Sequence, residues 1–155
     1  MEMKATNPKD AVGVRKVPMH VMSAQVLMEM SLGMLEGARK YGSHNYRVAG
    51  VRASVYYDAA MRHLMDWWEG VDIDPASGIS HVSKAMSALH VLRDAMMQEM
   101  WTDDRPPKAH NANWMDEMNQ KAGDIIDKYP NSKESFTEEN KNAPDDRATL
   151  LSEMR

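Results

Sequence analysis

The chain has 155 residues, 43% of them hydrophobic, which suits one domain with a single core. A formal net charge of -4 and a pI near 5.8 provide no basic field for a nucleic acid duplex, so any phosphate binding has to be local or to pass through a divalent metal. The absence of cysteine excludes disulfides, thiolate metal sites and a cysteine nucleophile.

No apolar run approaches the roughly 18 residues needed to span a bilayer, and MEMKATNPKDAVG lacks the apolar stretch of a signal peptide. A cytoplasmic protein is expected. Sixteen methionines against one phenylalanine point to a helical core filled by flexible side chains.

Residues 1–19 contain Pro8, Gly13 and Pro18 and read as an extended arm. Lys4, Lys9, Arg15 and Lys16 make this arm the most basic part of an acidic chain: either a solvated tail or a strap that brings cations to an anionic ligand. From His20 to Lys40, Val21, Ala24, Leu27, Met28, Met34 and Leu35 recur at helical spacing, and Gln25, Glu29, Glu36 and Lys40 share one narrow polar stripe. That stripe faces water or a polar cavity between helices. Tyr41-Gly42 ends the helix, and SHNYRVAG follows as a polar loop in which Asn45 and Arg47 offer hydrogen bonds.

A second helix is expected over Arg52 to Glu69. Its polar arc carries Asp58, Arg62, Asp66 and Glu69, while His63 falls on the apolar side beside Tyr56, Ala59 and Trp67. An inward histidine is either a hydrogen-bonded core residue or a ligand. Val71-Asp72-Ile73-Asp74-Pro75 forms an acidic connection, in which Asp72 and Asp74 can bind a hard cation or cap the next helix; spacing favours the cap.

The third helix, Gly78 to Met100, places His81 on an apolar stripe with Ala85, Ala88, Leu92 and Met96, opposite His90, Asp94, Ser83 and Ser87. Two inward histidines on consecutive antiparallel helices fit a packed bundle and a site equally well. Pro106-Pro107 breaks the pattern, and Asn113 can cap a shorter fourth helix bearing Trp114, Met118, Ile125 and Tyr129. From residue 131 the chain is charged, poor in apolar residues and expected to be flexible, although Leu150-Leu151 could dock locally. The fold expected is all-α: a bundle of three long helices plus a shorter fourth within a domain spanning residues 1–130, with an extended N-terminal arm and a tail over 131–155. Three helices with so much apolar circumference cannot bury it within one chain, so a homo-oligomer, dimer or tetramer, is expected.

Five phrases occur in a telling order: TNPKDAVG with Lys16-Val17-Pro18, LEGARKYGSHNYR, YYDAAMRHLMDWWEG, DIDPASGISH and DDRPP. Together they resemble the phage dGTP/dATP diphosphohydrolase family, related to the MazG-like all-α nucleotide pyrophosphohydrolases, over roughly residues 5–107. The resemblance implies a helical bundle that uses Mg²⁺ or Mn²⁺ to hydrolyse a purine deoxynucleoside triphosphate, dGTP or dATP, to the monophosphate and pyrophosphate. In some phage members the dGMP formed feeds 2-aminoadenine synthesis.

Carried onto this chain, the resemblance implies Glu36 as first metal ligand, with Asp72, Glu29, His63 and His81 as further ligands. Glu36, His63 and His81 are the implied catalytic residues, and Lys40, Asn45, Arg47, Lys9, Lys16, Asp58 and Asp74 the implied substrate contacts. Attack of water on the α-phosphorus calls for these residue types, because carboxylate-held cations lower the pKa of water and neutralise the triphosphate. The chain departs from the MazG-like pattern of paired Glu-x-x-Glu or Glu-x-x-Asp motifs: Glu29 and Glu36 stand seven apart, and the helix after the acidic turn has His81 with Lys84. Tyr46 and Val71 stand where tryptophan and an acidic residue are expected. The alternative to an enzyme is a non-catalytic helical module that binds nucleotide or metal.

Overall fold

The computed structural model of the chain describes residues 7–141. Its architecture is all-α and divides into two units, Met1–Pro106 and Pro107–Arg155, meeting at the proline pair that interrupts the helical pattern. The arm expected to be extended instead starts with α1 (Pro8–Gly13). The Asn7 side chain accepts the Lys9 N–H, and Pro8 sits in the first turn, where its missing N–H costs nothing. A single 3₁₀ turn, Met19–Val21, leads to α2 (Ala24–Tyr41), capped by Ser23 and closed by Gly42 at a φ of 93°.

The polar loop after α2 contains a short helix, α3 (Tyr46–Ala49), and then β1 (Val51–Arg52). The two remaining long helices of this unit are α4 (Ala53–Trp68) and α5 (His81–Met97). They form an antiparallel hairpin across the acidic turn, and the chain returns through β2 (Trp101–Thr102), which pairs in parallel with β1. Val51 also donates its N–H to the Met100 carbonyl at 3.0 Å. Asp104 then reaches back to α4, accepting the Ser54 N–H at 2.8 Å and the Ser54 hydroxyl at 2.5 Å. Arg52, at the N-cap position, supplies no such bond, so Asp104 caps α4 from a distant part of the chain.

Helix α5 is central and packs on both α4 and α2. Its small residues allow this: Ser83, Ala85, Ser87 and Ala95 are all buried. Ser87 donates to the Met30 and Ser83 carbonyls at 2.9 Å each, and Gly33 of α2 lies against it. Ser83 donates to the Glu29 carboxylate. The stripe carrying Glu29 and Glu36 therefore faces α5, not bulk water, while Met28, Leu32 and Leu35 of α2 are exposed. A compact cluster of Tyr46, Val51 and Ala95, with Met34, Tyr56, Val91, Leu92 and Trp101 around it, fastens the loop region to α5. Arg47 adds a bidentate pair to Asp94 at 2.8 and 2.9 Å, which holds the Asp94 carboxyl down at about 2.

In the second unit, α6 (Trp114–Lys128) is the expected fourth helix, although Asn113 at its start makes no side-chain cap bond. The tail expected over 131–155 is described only to Lys141, where it is irregular; Leu150-Leu151 lies outside the described residues.

The closeness of α2 to α5 is testable at Gly33. A Cβ there would stand 2.4 Å from the Ser87 Oγ and 3.1 Å from its Cβ, and that hydroxyl is already committed to two carbonyls. Gly33→Ala should therefore destabilise the fold by roughly 1–3 kcal/mol in denaturant unfolding, and Ser87→Ala in the same chain should recover part of the loss.

Candidate functional site

Between α2, the loop at 42–46, α4 and α5 runs a groove of about 450 Å³, within the range of small-molecule sites. Its wall includes Glu36 and Lys40 from α2, His44 and Asn45 from the loop, Tyr56 and His63 from α4, and Lys84 from α5. Four residues expected from the sequence, Glu36, Lys40, Asn45 and His63, thus share one surface.

Charge along the groove is organised by Lys84, whose side chain is only 15% exposed. Its ammonium donates to Asp74 Oδ2 at 2.5 Å and to Ser77 Oγ at 3.3 Å, and pairs with Glu36 Oε2 at 2.9 Å. The other Glu36 oxygen pairs with Lys40 at 2.5 Å. Burial pushes the Lys84 ammonium down, but Asp74 and Glu36 outweigh it and the net shift is upward. Lys40 and Lys84 hold the Glu36 carboxyl below its ordinary value.

Asp74 is 8% exposed. Its carboxylate accepts the Ala76 N–H and the Ser77 hydroxyl, each at 2.9 Å, so it builds the acidic turn as well as pairing with Lys84. Lys84 foremost, and the Ala76 N–H next, hold its carboxyl far below the usual carboxylate range.

Where the turn meets α5, a second cluster forms. Ile73 and Ser80 pair across the turn, the Asp74 N–H donates to the Ile79 carbonyl, and the His81 N–H donates to the Asp72 carbonyl at 2.9 Å. This small ladder fixes the His81 backbone, and the residue is 4% exposed. Its Nδ1 lies 2.8 Å from the His63 Nδ1, the rings inclined at 45°. The Asp66 carboxylate stands 3.9 Å from the same His81 nitrogen. Ligand atoms of His63, Asp66 and His81 lie within 4.8 Å of one another, a grouping able to hold a metal ion. His63 is half-buried; burial first, then the Lys84 charge and His81, lower its pKa.

The other expected residues lie elsewhere. Glu29 is engaged by Ser83 on the α2–α5 contact and is not part of the groove wall. Asp72 and Asp58 are exposed, and neither carboxylate has a partner among the described residues. Arg47 is tied to Asp94 beside a separate depression that includes His90, Arg93 and Met97. Lys9 in α1 and Lys16 beyond it are exposed and absent from the groove wall. Lys84 and Asp66 hold places here that sequence does not assign to them: by sequence Lys84 is only a departure from a family pattern, and Asp66 only part of a polar arc. His63-x-x-Asp66, a spacing of one helical turn that brings the two side chains within reach across the edge of the polar arc, is the available signal for the latter.

A family model described as dATP/dGTP diphosphohydrolase, N-terminal, matches residues 6–105. The chain belongs to this family. Neither the curated proteins nor the solved structures gave a match. Every residue of the groove wall lies inside the matched segment, as does the His63–Asp66–His81 cluster.

Replacing Lys84 by methionine removes the shared cation of two carboxylates at once, leaving Glu36 with Lys40 and Asp74 with its turn donors. Lys84→Met should cost about 2 kcal/mol of stability at neutral pH. Carboxyls lowered in the folded state contribute stability that is complete above about pH 4 and fades as pH falls through their folded values. The gap between the parent and Lys84→Met should therefore narrow in acid, as read from urea unfolding across a pH series.

Proposed function

We propose that this chain hydrolyses a purine deoxynucleoside triphosphate, dGTP or dATP, to the monophosphate and pyrophosphate with Mg²⁺ or Mn²⁺, using the groove between α2 and α5. The observation that carries this reading is the coincidence of a nucleotide-sized groove, two ammonium groups and a carboxylate within the segment matched to the diphosphohydrolase family.

The residues divide the work by chemistry. Lys40 and Lys84 offer cations to the triphosphate, whose oxygens can take over from Glu36 as their partners. Glu36, so released, is the groove carboxylate that would hold the divalent ion together with substrate phosphates, an arrangement typical of Mg²⁺ sites. The ion would supply charge neutralisation and a more acidic water. Tyr41 and Tyr56 present ring faces for the purine, and Asn45 presents an amide for its edge. In a phage, dGMP from this reaction would feed 2-aminoadenine synthesis.

A homo-oligomer belongs to the same reading. Within the unit Met1–Pro106, α2 exposes Met28, Leu32 and Leu35, and α4 exposes Met61, Met65 and Trp68. So much uncovered apolar surface on the two helices that flank α5 is expected to pack on another copy.

One observation favours a second reading, a nucleotide-binding module without turnover: both Glu36 oxygens are occupied by ammonium groups. Product analysis by chromatography separates the two. With dGTP or dATP and Mg²⁺, pyrophosphate and the monophosphate should accumulate, and Glu36→Gln should slow this roughly hundredfold while nucleotide still binds. Release of tripolyphosphate and nucleoside would overturn the reaction assigned; tight binding of dGTP with no product across several metals would establish the second reading.

A further inference from the structure

Charged groups along the groove are mostly paired. Glu36 has two ammonium partners, and Asp74, which shares Lys84 with it, has two turn donors besides. The cluster at the α4–α5 turn is different. His63, Asp66 and His81 converge with no lysine or arginine paired to them among the described residues. Asp66 is 59% exposed, so the cluster is open to water on one side, whereas His81 is buried and held by the turn ladder.

We propose that His63, Asp66 and His81 form a resident site for a first-row transition cation of the Mn²⁺ or Co²⁺ kind, separate from the Glu36 end of the groove and filled without nucleotide. Two imidazoles and one carboxylate are a donor set that favours such ions over Mg²⁺, which prefers oxygen ligands throughout. The spacing agrees. Two nitrogens bound cis on a six-coordinate ion with bonds of roughly 2.1 Å stand about 3.0 Å apart, and on a tetrahedral ion about 3.4 Å apart. The observed Nδ1–Nδ1 separation of 2.8 Å is closer to the six-coordinate edge. Asp66 lies one turn from His63 on α4 and is exposed, so its carboxylate can swing to complete a facial set without disturbing the core. The remaining positions would be taken by water or by a ligand entering past His63, which alone of the three lines the groove. Such an ion would also bridge α4 and α5 beside their connecting turn.

Without metal, the same geometry is satisfied by a neutral pair, one imidazole donating its Nδ1–H to the other, and the experiment distinguishes the two. Full-length protein is freed of metal and titrated with Co²⁺ in the absence of nucleotide, following the visible d–d absorption and the melting temperature. One equivalent of Co²⁺ should develop the absorption of an imidazole-ligated ion and raise the melting temperature; Mn²⁺ should compete and Mg²⁺ at the same concentration should not. Asp66→Asn should weaken binding by roughly tenfold, comparable to the loss of a supporting ligand. His63→Gln should abolish binding, and Glu36→Gln should leave it intact. Circular dichroism of each variant confirms that it is folded. Absence of Co²⁺ binding by the folded parent, binding unchanged in both His63→Gln and Asp66→Asn, or loss of binding in Glu36→Gln would each overturn the assignment. The readout involves no hydrolysis, so failure here and failure of the diphosphohydrolase reading are distinguishable.

Discussion

An ammonium group drawn out of water needs anionic partners, and Lys84 takes them from two different parts of the chain. Asp74 comes from the turn between α4 and α5, and Glu36 from α2. The pairing therefore fixes the register of α2 against α5 at the same time as it closes the turn. It also leaves the groove balanced in charge when empty: Glu36 is neutralised by Lys40 and Lys84 together. An incoming triphosphate would exchange one set of anionic oxygens for another instead of entering against an uncompensated field.

That arrangement depends on α5 being thin where it packs. Its faces toward α2 and α4 carry serine and alanine, while His90 and Arg93 are exposed. Ser83 and Ser87 turn their hydroxyls to α2 and to carbonyls, so burying them leaves no polar atom without a partner. Close approach then brings Glu29 and Glu36 inward and turns a large apolar part of α2 outward. The inversion is unusual for a helix of a self-contained domain and is the physical basis for expecting a second copy of the chain.

Not every family phrase marks chemistry. DDRPP carries Asp104, which caps α4, and Asp103, which pairs with Arg105 at 2.6 Å while Arg105 lies over the Trp101 ring. With the β1–β2 pair, these contacts tie the start of α4 to the chain leaving α5. The loop phrase is also mixed. Asn45 faces the groove, whereas Arg47 is spent on Asp94 and holds the loop to α5. Within one short phrase, adjacent residues serve the groove and the scaffold that presents it.

Sequence by itself determined the four longer helices, their approximate limits, the glycine stop at Gly42, the inward side of His63 and His81, and the family, because each follows from local spacing or from ordered phrases. It was misleading at Pro8, where a residue that discourages helix before it also begins one. Only the tertiary structure decided that the polar stripe of α2 faces α5, that Lys84 is the hub of the groove, and that Asp66 completes a cluster with the two histidines. The reason is geometric. A helical wheel assigns each side chain a direction around its own axis, but the partner it meets depends on the separation and register of another helix, and here small residues far apart in the chain set both.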